Sequence, residues 1–112
     1  QEWNINIPRT NDDGSIINTR DEGYSVQQTY DDGFIIAGIT DKNENDETDC
    51  GWLIKTDSNG NVEWDKVFSG NNGPSWFNSV QQTVMGDDGY IMTGVTFENS
   101  GGYNIWLINI KY

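Results

Sequence analysis

The densest group of oxygen ligands in the sequence is the run Asp41, Asn43, Asn45, Asp46, Glu47 and Asp49. Asp and Asn at alternate positions suit calcium, which takes about six to eight oxygen ligands. Asp41, Asn43, Asn45, Asp46 and Asp49 are the candidate ligands, and calcium is the cofactor they would hold. The run departs from a calcium loop at two places: Asp46 stands where the turn needs glycine, and Trp52 where a bidentate glutamate belongs. A solvated loop between strands accounts for the same residues. A second chemistry is stacking. Trp76 and Phe77 fall in a stretch expected to be a loop, from Gly70 to Asn78, where an exposed indole would suit the apolar face of a sugar ring.

Catalysis finds no foothold. The chain has no histidine, the commonest general base, and no nucleophile with a basic partner in sequence reach. The expectation is a protein that is not an enzyme and needs no organic cofactor. Its 112 residues carry 18 acidic and 6 basic side chains, a net charge of −12. Such a surface repels nucleic acid and anionic lipid. No apolar run is long enough to span a bilayer, so membrane insertion is not expected. The single cysteine, Cys50, reads as a small half-buried filler, and Gln1 in place of Met fits a processed start.

The elements that must position these residues are legible because the chain repeats itself. SVQQTYDDGFIIAGIT, from residue 25, is echoed by SVQQTVMGDDGYIMTGVT, from residue 79. Trp52-Leu53-Ile54 is echoed by Trp106-Leu107-Ile108, and both echoes have the same interval of 54 residues. Short runs of Val, Ile, Thr, Tyr and Trp between Gly, Asp and Asn argue for an all-β protein. Each copy predicts a strand (Tyr24 to Thr29, Asn78 to Thr83), an Asp-Gly turn (31 to 33, 87 to 89), and a second strand (Phe34 to Thr40, Tyr90 to Thr96). A third follows at Gly51 to Thr56 and Ile105 to Ile110, and a fourth at Asn61 to Phe68. The second strand is apolar at consecutive positions, which predicts cover on both faces. At the start, Trp3, Ile5 and Ile7 alternate with polar residues, and Trp3 answers Trp64 as a further fourth strand. The layout is one domain: an N-terminal strand over 1–8, a first unit over 24–68 and three strands of a second over 78–112.

The combination SVQQT, DDG followed by Phe or Tyr, and WLIKTDSNGNVEWDKVF resembles the repeats of bacterial and archaeal β-propeller proteins. The hairpin Asp57 to Trp64 is similar to that of quinoprotein-type propellers. The resemblance implies two four-stranded antiparallel blades, permuted so that the N-terminal strand completes a blade of a neighbouring subunit. It implies that Gln27, Gln28, Gln81 and Gln82 lie near a central channel, and that the protein is extracellular or at the cell surface.

Two blades close no ring, so the expected function is structural: a homo-oligomeric ring or extracellular filament built by head-to-tail exchange of the N-terminal strand. Trp3, Ile5 and Ile7 would be donated, and Ile105, Trp106, Leu107, Ile108 and Ile110 would accept them along an open strand edge. The alternative is a lectin-like oligomeric propeller that binds glycans.

Overall fold

The computed structural model describes residues 2–70, 73–84, 87–98 and 101–112. Seven strands carry the chain: β1 (Glu22–Gln28), β2 (Phe34–Asn43), β3 (Asp46–Thr56), β4 (Val62–Phe68), β5 (Ser75–Val84), β6 (Asp87–Glu98) and β7 (Gly102–Lys111). All pairings are antiparallel between neighbours in sequence. They form a four-stranded sheet, β1-β2-β3-β4, and a three-stranded sheet, β5-β6-β7. The first predicted turn forms as expected, with Asp32 at φ 68° and the Thr29 amide donating to the Gly33 carbonyl. Residues 87 to 89 instead open β6, and the turn before them lies outside the described residues.

Both copies share an irregularity that the residue pattern does not announce. β1 has a bulge between Gly23 and Ser25, and β5 has one between Phe77 and Ser79. Each bulge presses backbone onto a glycine of the next strand. A Cβ on Gly38 would lie 1.9 Å from the Glu22 carbonyl oxygen, and one on Gly94 would lie 1.8 Å from that of Trp76. These glycines are required by close approach.

The sheets meet face to face. Ile35, Ala37 and Leu53 from the first sheet bury against Phe77, Val80, Tyr90 and Met92 from the second. Trp64, Phe68, Trp106, Ile108 and Ile110 close the edges of this core. Phe77 is its joint: fully buried, edge-on to Phe68 at 5.4 Å and stacked on Trp106 at 5.1 Å.

The opposite face of the first sheet is partly covered by the N-terminal segment, with Val26 left exposed, and here the expected assembly fails. Residues 2–8 form no strand. Trp3 packs edge-on to Phe34 of its own chain at 5.8 Å, and Ile5 and Ile7 lie over Ile36, Trp52 and Ile54. Gly60, at φ +86°, admits the strap, since a Cβ there would sit 2.5 Å from Ile5 Cδ1. Arg9 anchors the far end, donating to Thr40 Oγ1 and to the Asp41 carbonyl at 2.9 Å each. Trp3, Ile5 and Ile7 are therefore not donated to the Ile105 to Ile110 strand, and there is no strand-exchange geometry. Neither sheet curls or closes with its neighbour as propeller blades do. Gln27 sits between the sheets, accepting the Gln82 amide. The result is a two-sheet all-β globule, and the ring or filament is withdrawn with the blade architecture that required it.

Candidate functional site

The two sheets differ in what covers them. The inner sheet, β1–β4, has the strap on one face and the second sheet on the other. The outer sheet, β5–β7, packs Tyr90, Met92, Trp106 and Ile108 inward; on its other face Gly73 lies against Phe97 at one end, while Tyr103, Ile105 and Leu107 are exposed. Register defines that open face row by row: Trp76, Val95 and Ile105, then Ser79, Thr93 and Leu107, then Gln81, Ile91 and Asn109. Phe97 and Tyr103 add a further pair. No side chain in these rows is charged, and the next row along the face is Gly89 and Lys111.

The exposure is substantial. Ile105 is 87% exposed, Leu107 63% and Tyr103 57%. At about 3.3 Å per residue, the seven residues of β7 in these rows make this part of the face roughly 23 Å long and about 12 Å across, on the order of 300 Å². A contiguous apolar patch of a few hundred Å² marks an interaction site, whereas scattered exposed residues need no explanation. The five expected acceptor residues split by strand period. Trp106, Ile108 and Ile110 turn toward the core, while Ile105 and Leu107 form the open face.

Trp76 and Phe77 lie in β5 rather than in a loop, and they point to opposite faces. Phe77 is buried. Trp76 is half-buried on the open face, with its ring 5.9 Å from that of Tyr103 and inclined to it by 53°. Phe97 meets Tyr103 edge-on, at 5.7 Å and 71°. The three rings share no common plane.

The acidic run is a hairpin with its oxygens engaged locally. Asp41 is buried and accepts the Arg20 amide, while Asp49 pairs with the Arg20 guanidinium at 3.1 Å. Asp46 accepts both the amide and the hydroxyl of Thr48, and the hydroxyl bond is the main cause holding its carboxyl below the ordinary carboxylate range. Asn43 accepts the Asn45 amide. Among the described residues no three His, Cys, Asp or Glu side chains gather as metal ligands.

One polar cluster was missed by sequence reasoning. Lys55 is buried at one end of the inner face, donating to Asp31 (3.1 Å), Glu63 (3.0 Å) and the Thr56 carbonyl (2.8 Å). Burial pushes the Lys55 ammonium's pKa down, but the bonds to Glu63 and Asp31 outweigh it and hold it above its usual value. The Thr29 hydroxyl, then Lys55, pull Asp31 down to about 2. The cluster is fully paired and braces the β1–β2 turn. The only sequence signal was the polar interruption of the run Trp52-Leu53-Ile54-Lys55.

Under the strap lie two clefts of about 260 and 280 Å³ that share Ile5, Ile7, Trp52 and Ile54. The Trp52 indole donates to Asp65 at 2.8 Å, and both residues line the first of them.

No helix among the described residues is long and apolar enough to cross a membrane. The resemblance to β-propeller repeat proteins finds no support beyond the repeat itself: no family model, no curated protein and no solved structure matches the chain.

Proposed function

We propose that this protein is a non-enzymatic docking module that binds a protein partner through the open face of β5–β7. The observation that carries this is an exposed sheet face, largely apolar and free of charge across four neighbouring rows, on a strongly acidic chain. Charged residues are depleted at the centres of protein interfaces, and aromatic residues are enriched there. Both features describe the rows from Trp76 to Leu107. Glycan binding is the second reading, favoured by Trp76 and Tyr103 lying side by side. Their inclination of 53° leaves no flat platform for a pair of sugar rings, so the protein partner is preferred.

A photoreactive phenylalanine analogue at position 105 tests the proposal in extracts of the producing cells, with position 59, in an exposed turn, as control. A protein cross-linked from 105 and not from 59 is expected. Once purified, it should bind the Leu107→Asp variant at least about tenfold more weakly than the parent. Sugar binding abolished by Trp76→Ala, with no protein captured at 105, would overturn the proposal in favour of a glycan site.

A further inference from the structure

Two bonds between the sheets run from a backbone amide of β5 to a side chain of β1. β5 is an edge strand, and its outward amides at Val80 and Gln82 have no strand beside them. Ser25 Oγ accepts the first at 3.3 Å, and Gln27 Oε1 accepts the second at 3.0 Å. A buried amide left without an acceptor costs about as much as a lost hydrogen bond, so these two side chains make the sheet-on-sheet contact possible. The repeat places Ser79 and Gln81 at the positions of Ser25 and Gln27. Both are exposed, both lie on the open face, and neither has a hydrogen-bond partner among the described residues.

The rest of that face follows the same plan. In the inner sheet, Ser25, Ala37 and Leu53 share one row, and the second sheet covers it. In the outer sheet, Ser79, Thr93 and Leu107 form the corresponding row, and no described residue covers it. The open face therefore repeats a surface that already binds a β-sheet within this molecule.

We propose that the open face receives a β-sheet of this same repeat carried by a partner chain, whose edge strand donates two alternate backbone amides to Ser79 Oγ and Gln81 Oε1. This rests on the docking function above and names its partner. The rows from Phe97 to Asn109 carry no charge, which lets an acidic sheet approach them without close like-charge contacts. A second copy of the folded chain does not meet the requirement. Its matching face, around Ile36, Trp52 and Ile54, lies under its own strap. The partner must present that face uncovered.

The full chain, extended after Tyr112 by a second copy of residues 57–112, supplies such a sheet in cis. Hydrogen exchange is read at the appended copies of Val80 and Gln82. Both amides should be protected, to the same extent as those of Val80 and Gln82 in the same chain, and Ser79→Ala with Gln81→Ala should reduce that protection by roughly tenfold. Leu107→Asp should lower the melting temperature of the extended chain and leave that of the parent nearly unchanged. Appended amides that exchange as freely as an unfolded peptide, or protection indifferent to the double replacement, would overturn the proposal. If a protein were still captured at position 105 in that event, the docking function would stand and its partner would not be a sheet of this repeat.

Discussion

Lys55 shows how a buried charge is tolerated when its partners remain in water. The ammonium is almost fully enclosed, while the Asp31 and Glu63 side chains are 60% and 47% exposed. The asymmetry decides which substitution hurts. Lys55→Met leaves two solvated carboxylates and one carbonyl without its donor, and should cost about 1 to 2 kcal/mol. Asp31→Asn with Glu63→Gln strands the ammonium in the core and should cost about 3 kcal/mol or more. Urea denaturation of the two variants checks the order, and a larger loss for Lys55→Met would contradict it. The same cluster sets an acid limit. The folded pKa of Asp31 lies below its unfolded value, so its contribution is present above about pH 4 and is lost as pH falls toward about 2. Melting temperature should therefore fall over that window, and the fall should be shallower in Asp31→Asn. The exposure of Asp31 keeps the effect modest.

Gly38 and Gly94 carry the corresponding argument for the strands. The atoms nearest an added Cβ are backbone carbonyls of the bulges at Glu22 and Trp76, which cannot rotate away as a side chain would. Gly38→Ala and Gly94→Ala should each cost about 3 kcal/mol, because overpacking is relieved only by moving a strand. Equal losses in denaturant midpoint would show that the two copies use their bulges alike, and a near-neutral result at either would refute the close approach. These bulges mark a boundary of what could be read from the residues. The seven strands among the described residues were legible, because short runs of β-branched and aromatic residues between Gly, Asp and Asn report on extended chain even where, as at 87 to 89, the expected turn is strand. The strap was not. Trp3, Ile5 and Ile7 alternate as in a strand, but alternation reports one-sided burial and says nothing of backbone pairing. These side chains found Phe34, Ile36 and Ile54 without joining a ladder. Trp76 and Phe77 were misplaced for a related reason. Gly70 and Pro74 suggest a loop, yet the strand begins at Ser75, and one residue of register separates a core ring from a surface ring. The open face itself was half legible: Ile105 and Leu107 were singled out for an edge contact and serve on a face instead.

At the scale of the whole molecule the repeat was visible from the first, and its closure was not, because echoing strands specify a unit and not how units meet. What the chain does carry at this scale is charge, which makes the last prediction. Eighteen carboxylates and six cations share a small surface. Arg20 and Lys55 form ion pairs among the described residues, but carboxylates outnumber cations three to one, so most carboxylates have no cation of their own to offset their mutual repulsion. Repulsion of this kind weakens the compact state relative to the expanded chain. It is also screened over a shorter distance as salt rises, the Debye length falling from about 30 Å at 0.01 M to about 8 Å at 0.15 M. The Lys55 pairs lie closer than either length and lose little, whereas repulsion between distant turns loses much. Raising sodium chloride across that range should therefore increase the melting temperature, by an amount on the order of the few degrees that 1 kcal/mol confers on a domain of this size. Differential scanning calorimetry at fixed pH near neutrality checks the sign. A melting temperature that fell with salt would mean that short-range ion pairs outweigh the net charge.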